Sequence, residues 1–133
     1  MDSLTKQQKI VGWICRITAA GIMLQTLFFK FTGAPESIYI FTKVHMEPWG
    51  RYGTGTIELI ASMLLLFSGR PWIGALLALG VISGAIVMHL TVLGIVVQND
   101  GGLLFGLAVA VFICSLVILI LYRGQIPVIN RYL

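Results

Sequence analysis

Charged side chains are scarce in this 133-residue chain: 11% of its residues are Asp, Glu, Lys or Arg, whereas 58% are hydrophobic. A water-soluble domain of this size needs far more polar surface, so the composition excludes a soluble globular protein. The mean hydropathy of +0.96 predicts integration in the lipid bilayer. We expect a single domain that covers residues 1–133.

Several chemistry-bearing motifs are also lacking. The two cysteines, Cys15 and Cys114, lie in separate apolar stretches and form no CxxC pair, which excludes a disulfide framework. We expect both thiols to be inert, because apolar surroundings disfavour the reactive thiolate. The net charge is +4, but no basic run with interleaved aromatic residues occurs, so no nucleic-acid partner is expected. No catalytic Ser/His/Asp, Walker or Rossmann pattern is present.

Long apolar stretches, in contrast, are plentiful. A membrane-spanning helix needs roughly 20 mostly apolar residues, and four stretches meet this need: 8–32, 50–68, 71–96 and 101–122. The first is too long for a cleavable signal peptide. The predicted fold is all-α, a bundle of four transmembrane helices. Pro71 suits the first turn of the third helix, and Asp100 is predicted to cap the fourth.

The only long connection, residues 33–49, has apolar residues at helical spacing. It predicts a short amphipathic helix that lies at the membrane interface and ends near His45–Pro48.

The distribution of Lys and Arg predicts how the bundle is oriented. Four crossings place both termini on one side of the membrane, and that side has more basic residues than the other. The two sets are Lys6, Lys9, Arg70, Arg123 and Arg131 against Lys30, Lys43 and Arg51. We therefore predict a multi-pass protein of the cell membrane with both termini in the cytoplasm.

Small residues at four-residue spacing predict close packing between helices. One such ridge runs along the fourth helix, and two stripes lie on the third. They are Gly102, Gly106, Ala110 and Cys114; Gly80 and Gly84; and Gly74, Ala78 and Ala85. These faces also offer contacts for an oligomer.

Ionisable residues inside the apolar stretches are the candidate functional groups, because charge at lipid depth is costly and usually faces a cavity or a partner. Glu58 and His89 lie roughly 13 Å and roughly 10 Å from the same end of the bundle. Lys30, Arg51 and Asp100 lie near that end, and Arg16 shares a helix face with Lys30. We expect a polar pocket in the non-cytoplasmic half, formed by Glu58, His89, Lys30, Arg51, Arg16 and Asp100.

Each of these residues also has a purely structural interpretation. Glu58 could form a buried ion pair with Lys30, Arg51 or His89 that fixes the helix register. His89 could bond a neighbouring carbonyl and do nothing else. Lys30, Arg51 and Arg16 could extend to the interfaces as anchors.

A metal centre is a further alternative, in which Glu58 and His89 join His45 or Asp100. The spacing of these residues matches no metal-binding motif, so no metal is expected. His45 and its neighbour Glu47 are expected to be solvated in a polar loop.

The chain resembles the DoxX family of small membrane proteins over roughly residues 10–122. The first helix has the family's early arginine, Arg16, and ends with its lysine, Lys30, in FFKF. The second helix has the G-x-x-E-L motif with Gly55 and Glu58, and the third has a late polar residue, His89. This resemblance implies a four-helix membrane bundle. Some relatives are quinone-linked subunits of thiosulfate-oxidising complexes, and others are linked to thiol and oxidative-stress systems or resemble membrane chaperones.

Two functions stay open at this point. A pocket with Glu58, His89 and Lys30 suits a quinone head group, because an acid beside an imidazole can exchange protons as the ring is reduced. No redox centre is apparent in the sequence, so the electrons would come from a redox partner subunit. The alternative is a non-catalytic scaffold or assembly factor whose Glu58 and His89 only fix helix packing. A carrier has less support, since no inverted repeat is visible.

Overall fold

The computed structural model describes residues 4–97 and 100–126, and every regular element in those residues is a helix. The all-α prediction is therefore confirmed. The elements are α1 (Lys6–Thr32), α2 (Pro35–Lys43), α3 (Trp49–Phe67), α4 (Pro71–Met88), a π-helix (His89–Leu93), α5 (Leu103–Leu121) and a 3-10 turn (Arg123–Gln125).

Local chemistry explains several of the helix ends. The hydroxyl of Thr5 accepts the backbone N–H of Gln8, whose side chain accepts the N–H of Thr5, so a capping box starts α1. Gly33 ends α1 with φ 69°, a left-handed conformation that costs glycine little. Pro35 and Pro71 occupy the first turns of α2 and α4, where the missing N–H is not needed.

The four long helices pack side by side. α1 packs on α3 and α5, and α4 packs on the same two helices. The shared core consists of small and aliphatic side chains, including Ala19, Ala20, Met23, Ala61, Leu65, Ala75, Ala78, Val111 and Ile118. The predicted short helix is present as α2. It contacts α1, α3 and the π-helix, so it lies at the end of the group where α1 ends and α3 begins, called the α2 end below.

Within the described part of the chain, three helices are long and apolar enough to cross a membrane: α1, α5, and α4 continued by the π-helix over Pro71–Leu93. The predicted second span, α3, is not among them. It has 19 residues but includes Arg51, Glu58, three glycines and two threonines, which lower its mean hydropathy. The composition of the other three helices indicates a membrane protein.

Two predicted boundaries of the third and fourth helices are wrong. The third span ends at Leu93 rather than residue 96, because Gly94 leaves the helix with φ 82° and ψ 170°. The last long helix begins at Leu103 rather than residue 101, since Gly101 and Gly102 both have positive φ.

Large apolar side chains cover the outside of the helices. Ile14, Phe28, Leu76, Val87 and Ile120 are each more than half exposed. A soluble monomer rarely exposes apolar surface on this scale, whereas lipid tails would cover it. The outward faces therefore agree with the composition in indicating a membrane protein.

The stripe on α4 that begins at Gly74 is a packing face, as predicted. A Cβ at Gly74 would lie 2.7 Å from the carbonyl oxygen of Ala61, so α3 and α4 touch there through their backbones. Gly80 and Gly84 differ, because a Cβ at either would meet nothing within 4 Å. Neither glycine is therefore a close helix contact, and Gly84 borders the cavity described below. An oligomer built on this stripe stays a prediction.

The predicted ridge on the last long helix is not its most buried face, although Cys114 at its end packs against the core. A Cβ at Gly106 would meet open space, whereas Ala108, Val111, Ser115 and Ile118 are buried. Small residues occur on both faces of α5, so their spacing alone could not identify the packed one.

Candidate functional site

A cavity of about 310 Å³ lies between the helices in the half of the protein nearer the α2 end. All five α-helices and the π-helix contribute to its wall, which is mostly apolar. Four ionisable residues interrupt it: Lys30, Glu36, Glu58 and His89. The volume lies at the lower end of the roughly 300–1,000 Å³ that is typical of small-molecule sites.

Lys30 and Glu58 form an ion pair on this wall. Lys30 Nζ lies 2.7 Å from Glu58 Oε1, and the two side chains are 15% and 4% exposed. Lys30 comes from the last turn of α1, and Glu58 from the middle of α3. The helices approach closely beside the pair, where a Cβ at Gly55 would meet the ring of Phe31 at 3.0 Å. The ion pair with Lys30 is one of the structural interpretations that the sequence offered for Glu58.

His89 reaches the same cavity as the first residue of the π-helix. Its Nδ1 lies 3.0 Å from the carbonyl oxygen of Gly94. A carbonyl only accepts, so the Nδ1 proton is donated to it, and the neutral ring keeps its lone pair on Nε2. The edge of the ring packs against Phe105 at a centroid distance of 5.5 Å. The backbone of Gly94, directly after the π-helix, thus positions the imidazole.

Three hydroxyl residues on the wall, Thr26, Ser37 and Thr54, were missed in the sequence. Thr26 and Thr54 line the cavity, each one helical turn before an ionisable residue, Lys30 or Glu58. The four-residue spacing places each pair on one helix face, a signal that could have found them. Glu36 lines the cavity as well, but no spacing indicates it, because its position depends on how α2 folds back onto the bundle.

Arg51 does not line the cavity and is not an exposed anchor either. It is 5% exposed, and its guanidinium donates two hydrogen bonds of 2.8 Å to the carboxylate of Glu47. A third bond goes to the carbonyl of Lys30, which joins the start of α3 to the end of α1. The bonded guanidinium lowers the pKa of the Glu47 carboxyl. The expectation of a solvated Glu47 is therefore wrong.

Arg16 lies at the opposite end of the helix group, outside the cavity wall. Its Nε donates to the carbonyl of Leu65 at 2.6 Å and its Nη2 to that of Ser68 at 3.1 Å. Its guanidinium also stacks on the ring of Trp13, 3.7 Å from the centroid. The residue is buried and binds the C-terminal carbonyls of α3, so the alternative of an anchor extending to the interface is wrong.

Asp100 organises the connection between the π-helix and α5 rather than the cavity wall. Its carboxylate accepts the backbone N–H groups of Val97, Gly102 and Leu104 at 2.8–3.1 Å. It therefore stabilises the first turn of α5 from outside the N-cap position, which Gly102 occupies. Burial alone would raise the pKa of Asp100, but these three donors and the nearby His89 hold the pKa below its usual value.

The alternative metal set does not come together. His45 is exposed, has a left-handed φ of 62° and does not line the cavity. Across residues 4–97 and 100–126, no group of three or more His, Cys, Asp or Glu side chains is placed to hold a metal ion.

The cavity combines apolar room with a few directed polar groups. Lys30 has three N–H donors, of which the bond to Glu58 uses one. His89 offers Nε2 as a further polar atom. Such a wall suits a largely apolar molecule that has an oxygen able to accept a hydrogen bond.

Comparisons with known proteins give one match. Neither the curated proteins nor the solved structures contain a match to this chain. The family model DoxX matches residues 12–91, which is more than half of the chain and runs from α1 into the π-helix. The matched residues include Arg16 and all four ionisable groups that line the cavity, Lys30, Glu36, Glu58 and His89. The chain belongs to the DoxX family.

Proposed function

We propose that this DoxX-family membrane protein binds a quinone head group in the cavity at the α2 end. The observation that carries the proposal is the placement of the Lys30–Glu58 pair and His89 on an otherwise apolar wall of about 310 Å³. A quinone ring and the beginning of its tail are apolar, and its two carbonyl oxygens need hydrogen-bond partners.

The proposal includes a fourth membrane crossing by α3. The charged residue at the middle of α3 and Ser62 face inward, where Glu58 pairs with Lys30 and the hydroxyl of Ser62 donates to the carbonyl of Glu58. Beyond its first two turns, the outward residues are apolar: Ile57, Leu59, Ile60, Met63 and Phe67 are exposed. A helix with this pattern can lie in lipid, since its costly groups are paired inside. With four crossings, the excess of basic residues at one end supports an orientation with both termini in the cytoplasm.

Each polar residue then has a distinct task. Lys30 donates a hydrogen bond to one quinone oxygen, while Glu58 holds the ammonium group in place. A charge-assisted bond of this kind is roughly twice as strong as a neutral one. His89 exchanges a proton with the second oxygen when the ring is reduced or oxidised, which is general acid–base chemistry. A redox partner subunit is one source of the electrons.

A scaffold or assembly factor is the second candidate, and a specific observation favours it. The polar groups named above already have partners within the chain: Glu58 on Lys30, His89 on Gly94, and Arg16 and Arg51 on backbone carbonyls. Such contacts fix helix packing without any ligand. In this case the same residues affect stability only.

Binding of a short-tailed quinone to purified protein in lipid nanodiscs, measured by calorimetry, separates the two candidates. Lys30→Met removes the proposed donor, and we expect it to weaken binding about tenfold to a hundredfold, because a hydrogen bond to a charged group contributes roughly 1.5–3 kcal/mol. Lys43→Met is the matched control, since Lys43 is exposed and does not line the cavity.

A second pair of variants tests the cavity itself. Ala108→Phe places a ring in the cavity that Ala108 lines, whereas Ala110→Phe adds the same ring outside it. We expect the first to abolish binding and the second to leave it unchanged. Equal binding by both variants would remove the quinone proposal and leave the scaffold.

A further inference from the structure

The helices α3 and α4 touch at the end remote from α2 and separate toward the cavity. Where they touch, a Cβ at Gly74 would lie 2.7 Å from the carbonyl oxygen of Ala61. The two helices run in opposite directions, so two turns toward the α2 end lead from Gly74 to Val81 and from Ala61 to Thr54, on the same helix faces. Val81 and Thr54 both line the cavity. The contact between α3 and α4 therefore gives way to the cavity over a rise of about 10 Å.

The wall of the cavity is open at Gly84. Three of the residues that line the cavity are exposed: Phe29, Glu36 and Gly84. Phe29 and Glu36 each contribute a large side chain, whereas Gly84 has none, and a Cβ added there would meet no atom within 4 Å. Gly84 lies between Val81 and Met88, which also line the cavity, on the side of α4 that turns toward α3. The cavity therefore opens to the outside between these two helices.

The opening lies at the depth of the lipid tails. Gly84 precedes Leu93, the last residue of the apolar span, by nine residues, which is about 14 Å along the helix. Since the hydrocarbon core of a bilayer is about 30 Å thick, Gly84 lies near its middle. On the α3 side, Ile57 is exposed one turn from Ala61. A gap with these apolar surroundings is accessible to an apolar chain in the lipid.

We propose that the ligand is a quinone with a long polyprenyl tail, and that the tail leaves the cavity between α3 and α4, past Gly84. This inference rests on the proposed function. A cavity of about 310 Å³ has room for the head group and the beginning of the tail, so the rest of a long tail has to leave it. An exit at the α2 end would lead the tail past the charged Glu36, whereas the gap at Gly84 leads it into lipid, which is as apolar as the tail.

The test compares two quinones with the same head group, one with a tail of many isoprene units and one with a single unit. Both compete with a radiolabelled short-tailed quinone for protein in nanodiscs, and concentrations are expressed per lipid. Gly84→Leu fills the gap and should lower the ratio of long-tailed to short-tailed affinity about tenfold or more, because the tail and the new side chain need the same space.

Gly80→Leu is the matched control. Gly80 is exposed on the same helix and a Cβ there would also meet open space, but Gly80 does not line the cavity. This variant should keep the affinity ratio of the wild type. Equal ratios in the Gly84 and Gly80 variants would overturn the inference.

A photoreactive tail tests the path in the unaltered chain. A diazirine several isoprene units from the ring should form adducts on segments 54–61 and 81–88, which excess unlabelled quinone should suppress. Adducts on segments 22–29 and 104–107 would overturn the inference, because the tail would then leave between α1 and α5. Wild-type protein that binds the short-tailed but not the long-tailed quinone would overturn it while the proposed function stands; absence of binding by both quinones would remove both.

Discussion

At the scale of single residues, the Lys30–Glu58 pair decides how charge is tolerated inside this protein. Each group is costly in an apolar interior when it is alone. The bond of 2.7 Å makes the pair acceptable, and the partial exposure of Lys30 leaves its ammonium able to reach the cavity. One contact can therefore stabilise the fold and prepare a ligand site.

Glu58→Gln should lower the free energy of unfolding by about 2–3 kcal/mol. This is less than the roughly 3–5 kcal/mol that is typical of a broken, fully buried pair, because the Lys30 side chain is 15% exposed. Unfolding in detergent, followed by circular dichroism, measures the change.

The double variant Lys30→Met, Glu58→Leu is the informative companion. It removes both charges and keeps apolar volume, so stability should return to within about 1 kcal/mol of the wild type, whereas quinone binding should stay lost. Recovery of binding together with stability would show that the charges do not contact the ligand.

Substitution of Arg16 should lower the stability of the fold without changing ligand binding. Arg16→Met leaves the carbonyls of Leu65 and Ser68 without their donor, and we expect a loss of about 2–4 kcal/mol of stability. Arg16→Lys should recover only part, because an ammonium lacks the fork of N–H groups. Quinone affinity measured on the folded fraction should not change, and a change would place Arg16 in the ligand site.

At the scale of elements, the contact between α3 and α4 depends on one missing side chain. Gly74→Ala would put a Cβ 2.7 Å from the carbonyl oxygen of Ala61, so the helices must separate, at a cost of about 1–3 kcal/mol. Gly80→Ala on the open face of the same helix should be neutral or slightly stabilising, since alanine favours helix. Thermal unfolding of the two variants compares them directly, and equal effects would contradict the packing.

The connection before α5 should respond to pH through Asp100. The pKa of this carboxyl is lower in the folded protein than its usual 3.8, so the unfolded chain binds the proton more readily. The stabilisation is therefore complete above the unfolded pKa and is lost as pH falls through the folded pKa. Asp100→Asn should be less stable than the wild type at neutral pH, with a difference that shrinks below about pH 4. A constant difference down to pH 2 would contradict this origin.

The sequence alone predicted some features of the fold and the cavity and missed others, for physical reasons. Long apolar runs and capping residues predicted the helices, and the rarity of charge in those runs indicated Lys30, Glu58 and His89. The same rule also selected Arg51, which binds a carboxylate and a backbone carbonyl outside the cavity. Backbone partners leave no spacing pattern in a sequence.

At the scale of the whole molecule, the proposed topology can be tested by labelling from outside the cell. Single cysteines introduced at Thr5 and at Lys43 in a chain with Cys15→Ala and Cys114→Ala report the two ends of the helix group. A membrane-impermeant maleimide should label the cysteine at position 43 in intact cells and that at position 5 only after lysis. The opposite pattern would reverse the orientation, and labelling of both in intact cells would contradict a first span over α1.

Covalent mapping can locate the bound ligand in the cavity at the α2 end. A quinone with a photoreactive azide is irradiated with the protein in nanodiscs, and the modified peptides are sequenced by mass spectrometry. We predict adducts on the lining segments 22–30 and 104–111, which excess unlabelled quinone should suppress. Adducts spread over the outward faces of the helices, unchanged by the competitor, would show that the quinone does not bind in the cavity.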